Sequence, residues 1–198
     1  MRRLVIYSDC HLDAPHSVLK ENPEIKSELF NKEMVKLKYK ADDVFLTGDI
    51  IDIDNCHRKK LSLVKDRMFR LLAEHGDNYI LGNHECMTPE RYFVKYGNVL
   101  LTHGHALFWN QKKISKWENK KGGMKWWRYK IYQLTHHSGR SGKALKLSGE
   151  KAAEIASLTK EMGCDTIIFG HTHRVFDEKY AGVRIINVPK GRTIVEIE

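Results

Sequence analysis

The sequence predicts an α/β protein, a layered β-sheet core flanked by helices, with a helical insertion. Three observations carry that prediction. Short, nearly continuous apolar runs rich in β-branched residues recur along the chain, each ending at a polar or glycine-containing turn. That is how strands covered on both faces read. Stretches with helical spacing fill gaps between them, and strands alternating with helices argue for layers of both. One stretch, about 109–160, breaks the alternation and is strongly basic.

The elements follow in order. "RLVIYS" (3–8), "DVFLTG" (43–48), "NYILGN" (78–83), "NVLLTHG" (98–104) and "DTIIFG" (165–170) are the expected strands. Over 24–38, Ile25, Leu29 and Val35 among lysines and glutamates suit a surface helix. Over 59–75, Leu61, Val64, Met68, Leu71 and Leu72 keep helical spacing, and Gly76 stands where a C-terminal cap belongs. In the insertion, Met124, Trp127, Ile131 and Leu134 share one helical face. A second helix there, with Glu150 and Lys151 near its start, runs to Met162 and Gly163. The tail reads as antiparallel hairpins turning at Ala181 with Gly182 and at Lys190 with Gly191.

At 198 residues the chain fits a single domain, 1–198, able to bury a core without disulfides. Its 41% hydrophobic and 30% charged residues exclude a disordered chain. No run approaches the ~18 apolar residues of a membrane span. The apolar stretch behind Arg2 and Arg3 is too short for a signal peptide, so the expected location is cytoplasmic. Cys10, Cys56, Cys86 and Cys164 are scattered without a C-x-x-C pair and are expected to be reduced thiols. The net charge is +9, yet residues 112–151 alone hold twelve Lys or Arg against two Asp or Glu, a balance of +10. Everything outside that stretch therefore sums to −1. So local a patch points to an anionic partner.

The strand ends carry the chemistry. They read "SDCH" (Asp9, His11), "TGD" (Asp49), "GNHE" (Asn83, His84), "THGH" (His103, His105) and "GHTH" (His171, His173). In an open α/β sheet the loops after the strands gather at one edge, so five strands deliver these side chains to one place. In D-x-H and H-x-H the outer side chains point the same way on an extended backbone. Packing carboxylates and imidazoles together is costly without compensating charge, which metal ions supply. The set is too nitrogen-rich for magnesium or calcium and suits manganese, iron, zinc, cobalt or nickel. Eight ligand slots from seven residues, one carboxylate bridging, make two sites of four with room for a bridging water. Two metals ~3.5–4 Å apart activate such a water for phosphoryl displacement.

The set Asp9-x-His11, Gly48-Asp49, Gly82-Asn83-His84-Glu85, His103-Gly104-His105 and Gly170-His171-x-His173, in this order, resembles the calcineurin-like metallophosphoesterases over residues 4 to about 190. The resemblance implies an αββα sandwich and two divalent transition-metal ions, manganese foremost. It implies that Asp9, His11, Asp49 and His173 hold one ion, and that Asp49 bridges to the second, completed by Asn83, His103 and His171. His84 then faces the phosphate and assists the leaving oxygen, and Asp52 resembles the carboxylate that orients such a histidine. The implied reaction is phosphoester hydrolysis, a metal-bridging hydroxide attacking phosphorus. His105 is expected either to touch substrate or to support a ligand from behind. His16, His57, His136 and His137 are expected at the surface.

"GDIIDID" puts Ile53 where the protein Ser/Thr phosphatases carry a phosphate-gripping arginine, which argues against that activity. The insertion between "HGH" and "GHTH", together with "GDIID", resembles the UDP-2,3-diacylglucosamine pyrophosphohydrolase branch. That implies a phosphodiester or pyrophosphate substrate, UDP-lipid- or nucleotide-like. Trp117, Trp126, Trp127, Lys125 and Arg128 suit a lipid–water interface. They equally suit nucleic acid, with aromatics stacking bases and Lys or Arg meeting phosphates, so a nuclease is the alternative; Lys125 and Arg128 are the expected substrate contacts. A metal-free protein-binding scaffold of the same fold is a third reading, but such a chain would lack several of these ligands. "GRSGKA" (139–144) fails as a phosphate-binding loop, because Gly139 is too near Gly142 and Ala144 stands where Ser or Thr is needed.

Overall fold

Alternate residues of the strands bury on opposite faces, and each face meets a different partner. The computed structural model describes residues 2–12, 30, 32–34, 36, 41–85, 92–118 and 147–197. Its strands are β1 (Arg2–Ser8), β2 (Asp43–Thr47), β3 (Tyr79–Ile80), β4 (Phe93–Tyr96), β5 (Val99–Thr102), β6 (Thr166–Phe169), β7 (Phe176–Tyr180), β8 (Val183–Asn187) and β9 (Gly191–Ile197). The α-helices are α1 (Leu61–His75), α2 (His105–Phe108), α3 (Gln111–Glu118) and α4 (Gly149–Glu161). Two sheets form, in the orders β3-β2-β1-β9 and β4-β5-β6-β8-β7. Within them β1, β2 and β3 run parallel, as do β5, β6 and β8, while β9, β4 and β7 pair antiparallel at the margins.

The strand pleat sorts the apolar residues into three cores. Leu4, Ile6, Phe45, Leu101, Ile168 and Ile186 pack between the two sheets. Val5, Tyr7, Val44 and Leu46 face the other way and meet Val64, Met68 and Leu71 of α1, with Phe30 and Met34. Leu100, Ile167, Phe169 and Ile185 meet Ala152, Ile155 and Ala156 of α4. Helix, sheet, sheet and helix therefore stack in layers, the α/β class that the sequence predicts. Both faces of each central strand are covered, which is why these strands read as unbroken apolar runs. Truncating a residue such as Ile168 in the middle core is expected to cost ~2–5 kcal/mol.

Several sequence expectations change. The five expected strands divide between the two sheets of the expected sandwich, three in the first and two in the second. The third is short, Tyr79–Ile80, because Gly82 and the loop after it leave the ladder to meet Asp49. A strand at 93–96 pairs antiparallel with β5 and was not expected; its half-exposed positions lack the apolar run of a central strand. Ala181 and Gly182 do turn a hairpin, both with positive φ. The turn at Lys190 does not. There the chain crosses to the other sheet, where β9 pairs with β1.

Helix α1 ends at Gly76 as expected, and α4 starts with the Ser148 side chain accepting from the Lys151 N–H. The expected helix at 24–38 and the amphipathic face at 124–134 lie largely or wholly outside the described residues. No helix among the described residues is long and apolar enough to cross a membrane. Cys10, Cys56 and Cys164 are buried free thiols.

Candidate metal centre

The carboxyl ends of β1, β2, β3, β5 and β6 meet where the two sheets come together. Asp9 and His11 follow β1, Asp49 follows β2, Asn83 and His84 follow β3, His103 follows β5, and His171 and His173 follow β6. Contacts between the sheets close the junction. His103 of the second sheet donates from Nδ1 to the Thr47 carbonyl of the first at 2.9 Å. The His171 N–H donates to Asp9 Oδ2 at 3.0 Å.

These turns are not extended. Asp9, His11, Asp49, His171 and His173 all have φ between 48° and 63°. The shared aim of D-x-H and H-x-H therefore comes from left-handed turns rather than from strand alternation, a correction to the sequence reading. Asp and His tolerate this conformation better than most residues, and such strain clusters at functional sites. Gly48, with φ of 81°, sits so close beneath His103 that an added Cβ would lie 2.6 Å from the His103 Cβ.

Three groups of side chains place one donor atom each within 4.8 Å of one another: Asp9, His11 and His173; Asp49, His103 and His171; and His11, Asp52 and His84. His173 Nε2 is 3.0 Å from Asp9 Oδ1. Asp49 Oδ2 lies 3.3 Å from His103 Nε2 and 3.9 Å from His11 Nε2, so one oxygen reaches toward both of the first two groups. Asn83 is buried on the loop between Gly82 and His84.

The donor chemistry fits a metal ion. His103 gives its Nδ1 proton to Thr47, so in the neutral ring Nε2 carries a lone pair. That lone pair faces Asp49 Oδ2 at 3.3 Å and His171 Nδ1 at 3.3 Å. A carboxylate oxygen and imidazole nitrogens so arranged can bind a cation among them. Without an ion they take up protons. Burial pushes the His103 imidazole down, but Asp49 and Asp9 outweigh it and raise it to about 9. Burial likewise opposes ionisation of Asp9 and Asp49, yet His103 and neighbouring imidazoles hold both below the usual carboxylate range. His171 shifts the other way, to about 3, because burial and the His103 charge disfavour a second cation.

His84 is only partly buried and lies at the margin, Nε2 3.8 Å from Asp49 Oδ2. Its Nδ1 is 3.1 Å from Asp52 Oδ1 and 2.9 Å from Asn55 Nδ2. Burial lowers its pKa, while Asp52 and Asp49 raise it to about 10. Asp52 is itself fully buried and takes a second imidazole, His11, on its other oxygen at 3.2 Å.

His105 is buried at the start of α2, its ring 4.7 Å from Tyr92 and 5.6 Å from Trp109, and burial lowers it to about 3. Its Nδ1 has no hydrogen-bond partner among the described residues. His57 caps the turn at 58–60. Ile53 packs in the α1-facing core and brings no charge to the site. Lys125, Arg128, Trp126, Trp127, His16, His136 and His137 lie outside the described residues. Sequence reasoning missed Asn55, which supports Asp52 through its N–H (2.8 Å) and its side-chain amide (3.0 Å). It also missed Trp109, whose ring stands 5.3 Å from His171 with Lys113 Nζ 3.8 Å over it. Neither is part of a strand-end motif.

Comparison with known proteins agrees with this geometry. The family described as calcineurin-like phosphoesterase matches residues 2–175. The chain belongs to that family and is, by class, a metal-dependent phosphoester hydrolase. None of the curated proteins matches its sequence. Among solved structures, a conserved protein from Streptococcus pneumoniae TIGR4, titled a predicted phosphoesterase, is 13% identical with a TM-score of 0.43 over 98% of this chain and 83% of its own. Vps29 from Entamoeba histolytica complexed with Zn is 15% identical, TM-score 0.42, over 95% and 74%. A cold-active protein-tyrosine phosphatase of a psychrophilic Shewanella species is 15% identical, TM-score 0.43, over 99% and 76%. None of these three likenesses bears on what this chain acts on.

Proposed function

We propose that this chain is a dinuclear phosphoesterase acting on a phosphodiester or pyrophosphate. The observation that carries the reading is the pair of donor groups, Asp9–His11–His173 and Asp49–His103–His171, with Asp49 Oδ2 turned toward both. Asp9, His11, Asp49 and His173 would hold one ion, and Asp49, Asn83, His103 and His171 the other. The nitrogen-rich donor set suits manganese, iron, zinc, cobalt or nickel, and the family resemblance puts manganese foremost. Bound there, the ions would supply positive charge against the phosphate and acidify a water.

The chain's own residues do the rest. His84 has its Nδ1 against the Asp52 carboxylate, which favours a protonated ring, so its Nε2 can donate to the leaving oxygen. Asp52 accepts from the Nδ1–H and holds the ring, Asn55 holds Asp52 in turn, and Nε2 is left toward the centre. His105, Lys125 and Arg128 are the proposed substrate contacts, the last two within the basic insertion. A UDP-linked lipid or nucleotide-like substrate fits that patch. Nucleic acid is the second reading, favoured by the +10 balance over 112–151.

Hydrolysis of bis-p-nitrophenyl phosphate with added manganese tests the class of activity. It should be abolished by exhaustive chelation and restored by divalent metal; full activity after chelation would sink the proposal. A competition panel of UDP-linked lipid, dinucleotide, single-stranded DNA and RNA, at low salt and at ~0.2 M, separates the substrates. A nucleic-acid partner loses affinity steeply with salt and an acyl-chain partner does not.

A further inference from the structure

We propose that Glu85 is a positioning residue for the metal centre, its carboxylate clamping the backbone of Asp49 so that only Oδ2 of Asp49 faces the imidazoles. The proposal rests on the reading of Asp49 as a bridging ligand.

Glu85 is completely buried. Its Oε2 accepts from the Asp49 N–H at 2.9 Å and the Gly82 N–H at 2.5 Å. Its Oε1 accepts from the Ile50 N–H at 2.7 Å, the Ile51 N–H at 3.2 Å and the Tyr79 hydroxyl at 2.7 Å. Five donors thus converge on a group with about four lone-pair sites, which saturates it. Oriented N–H groups of this kind hold a buried anion without a cationic side chain.

The reason lies in the turn after β2. Gly48 and Asp49 are consecutive left-handed residues, with φ of 81° and 52°. The turn leads the N–H groups of 49 to 51 away from the strand ladder, and all three point at the Glu85 carboxylate. The same loop also grips the Asp49 side chain: the His84 N–H donates to Asp49 Oδ1 at 2.8 Å. Asp49 is therefore held at both ends, by Glu85 at its backbone and by His84 at one oxygen. The other oxygen is left 3.3 Å from His103 Nε2, 3.8 Å from His84 Nε2 and 3.9 Å from His11 Nε2. Gly82 closes the clamp, since a Cβ there would overlap the Asp49 amide and carboxylate.

Glu85→Gln keeps the shape but sets an NH₂ group against backbone N–H donors. The test is Mn²⁺ titration of the chelator-stripped full chain, with thermal unfolding of the metal-free form and steady-state kinetics on bis-p-nitrophenyl phosphate beside it. We expect Mn²⁺ affinity to fall at least ~10-fold, the size of effect typical when the support of a metal ligand is removed, with kcat falling more than KM rises. A merely structural role would lower the unfolding temperature and leave Mn²⁺ affinity at 20 °C untouched. Tyr79→Phe removes one of the five donors and should weaken Mn²⁺ binding by a smaller factor, roughly 2–5-fold, the size expected for one hydrogen bond. If Glu85→Gln folds and binds Mn²⁺ within twofold of the parent, the clamp is overturned. Should that variant fail to fold, parent-like affinity in Tyr79→Phe overturns it instead. A parent chain that takes up no Mn²⁺ sinks the metal-centre reading itself, which is a separate failure.

Discussion

Asp52 meets two imidazoles on two different oxygens, His84 at 3.1 Å and His11 at 3.2 Å. One belongs to the proposed proton donor and the other to a proposed ligand, so the carboxylate links roles that single substitutions should separate. His84→Ala is expected to keep both ions yet lose turnover by ~10²-fold or more. Asp49→Asn should lose metal and activity together, because the charge offset for both ions disappears. Asp52→Asn should do some of each, lowering turnover and weakening one ion. Metal analysis beside kcat on each variant checks this; an empty His84→Ala with a full Asp49→Asn would reverse the roles. The family resemblance at Asp52, three residues after Asp49, made the His84 partner legible in the sequence. Its contact with His11 was not, since it depends on the loop after β1 lying beside the turn after β2, tied there by the His11 N–H to the Asp49 carbonyl at 2.8 Å.

At the scale of elements, the turns rather than the strands aim the site. Five of the six non-glycine residues with positive φ among those described are Asp9, His11, Asp49, His171 and His173. A left-handed non-glycine residue costs ~1–2 kcal/mol, so these turns hold strain that the surrounding hydrogen bonds must offset. Gly48 has both a positive φ and His103 against its α-carbon. Gly48→Ala should therefore destabilise the metal-free chain by ~2 kcal/mol or more and displace His103, weakening metal uptake. Urea unfolding in chelator, followed by Mn²⁺ titration, reads both effects. A parent-like Cm with parent-like affinity would show that the turn has slack which the close contact denies.

Across the whole molecule, the charges of the centre set a pH profile for the metal-free chain. His84 and His103 have pKa values raised to about 10 and about 9 from 6.5, so the stability they contribute is full below pH 6.5 and is lost as pH rises through 9 to 10. His105 and His171 are lowered to about 3, and their contribution is full above 6.5 and lost as pH falls toward 3. Asp9, Asp49 and Asp52, also depressed, add to the acid limb. Thermal stability in chelator should therefore peak near pH 6.5 and fall on both sides. A metal ion must displace the proton of His103, so saturating Mn²⁺ should flatten the limb between pH 7 and 9. Calorimetry across pH, with and without metal, decides; a flat profile in chelator would refute the charge pattern. The insertion belongs to this scale too. Neutralising Lys120, Lys121, Lys125 and Arg128 together should raise KM for an extended anionic substrate strongly while barely changing turnover of a small nitrophenyl ester. Equal behaviour of variant and parent on every substrate would leave the insertion a packing role only.

The chain by itself determined the class of fold, the order of the main strands and the residues that stand at their ends. Strand runs and strand-end motifs are local, and the apolar runs of β1, β2, β5 and β6 announce burial on both faces without reference to what covers them. Only the tertiary structure decided which of these strands lies in which sheet, that β9 crosses back to pair with β1, and that the motifs are aimed by left-handed turns. It alone gave Glu85 five donors and Asn55 a place behind His84. The reason is physical: which face of a strand meets which layer, and where a buried carboxylate finds its hydrogens, depend on groups far apart in sequence that come together only when the sheets pack.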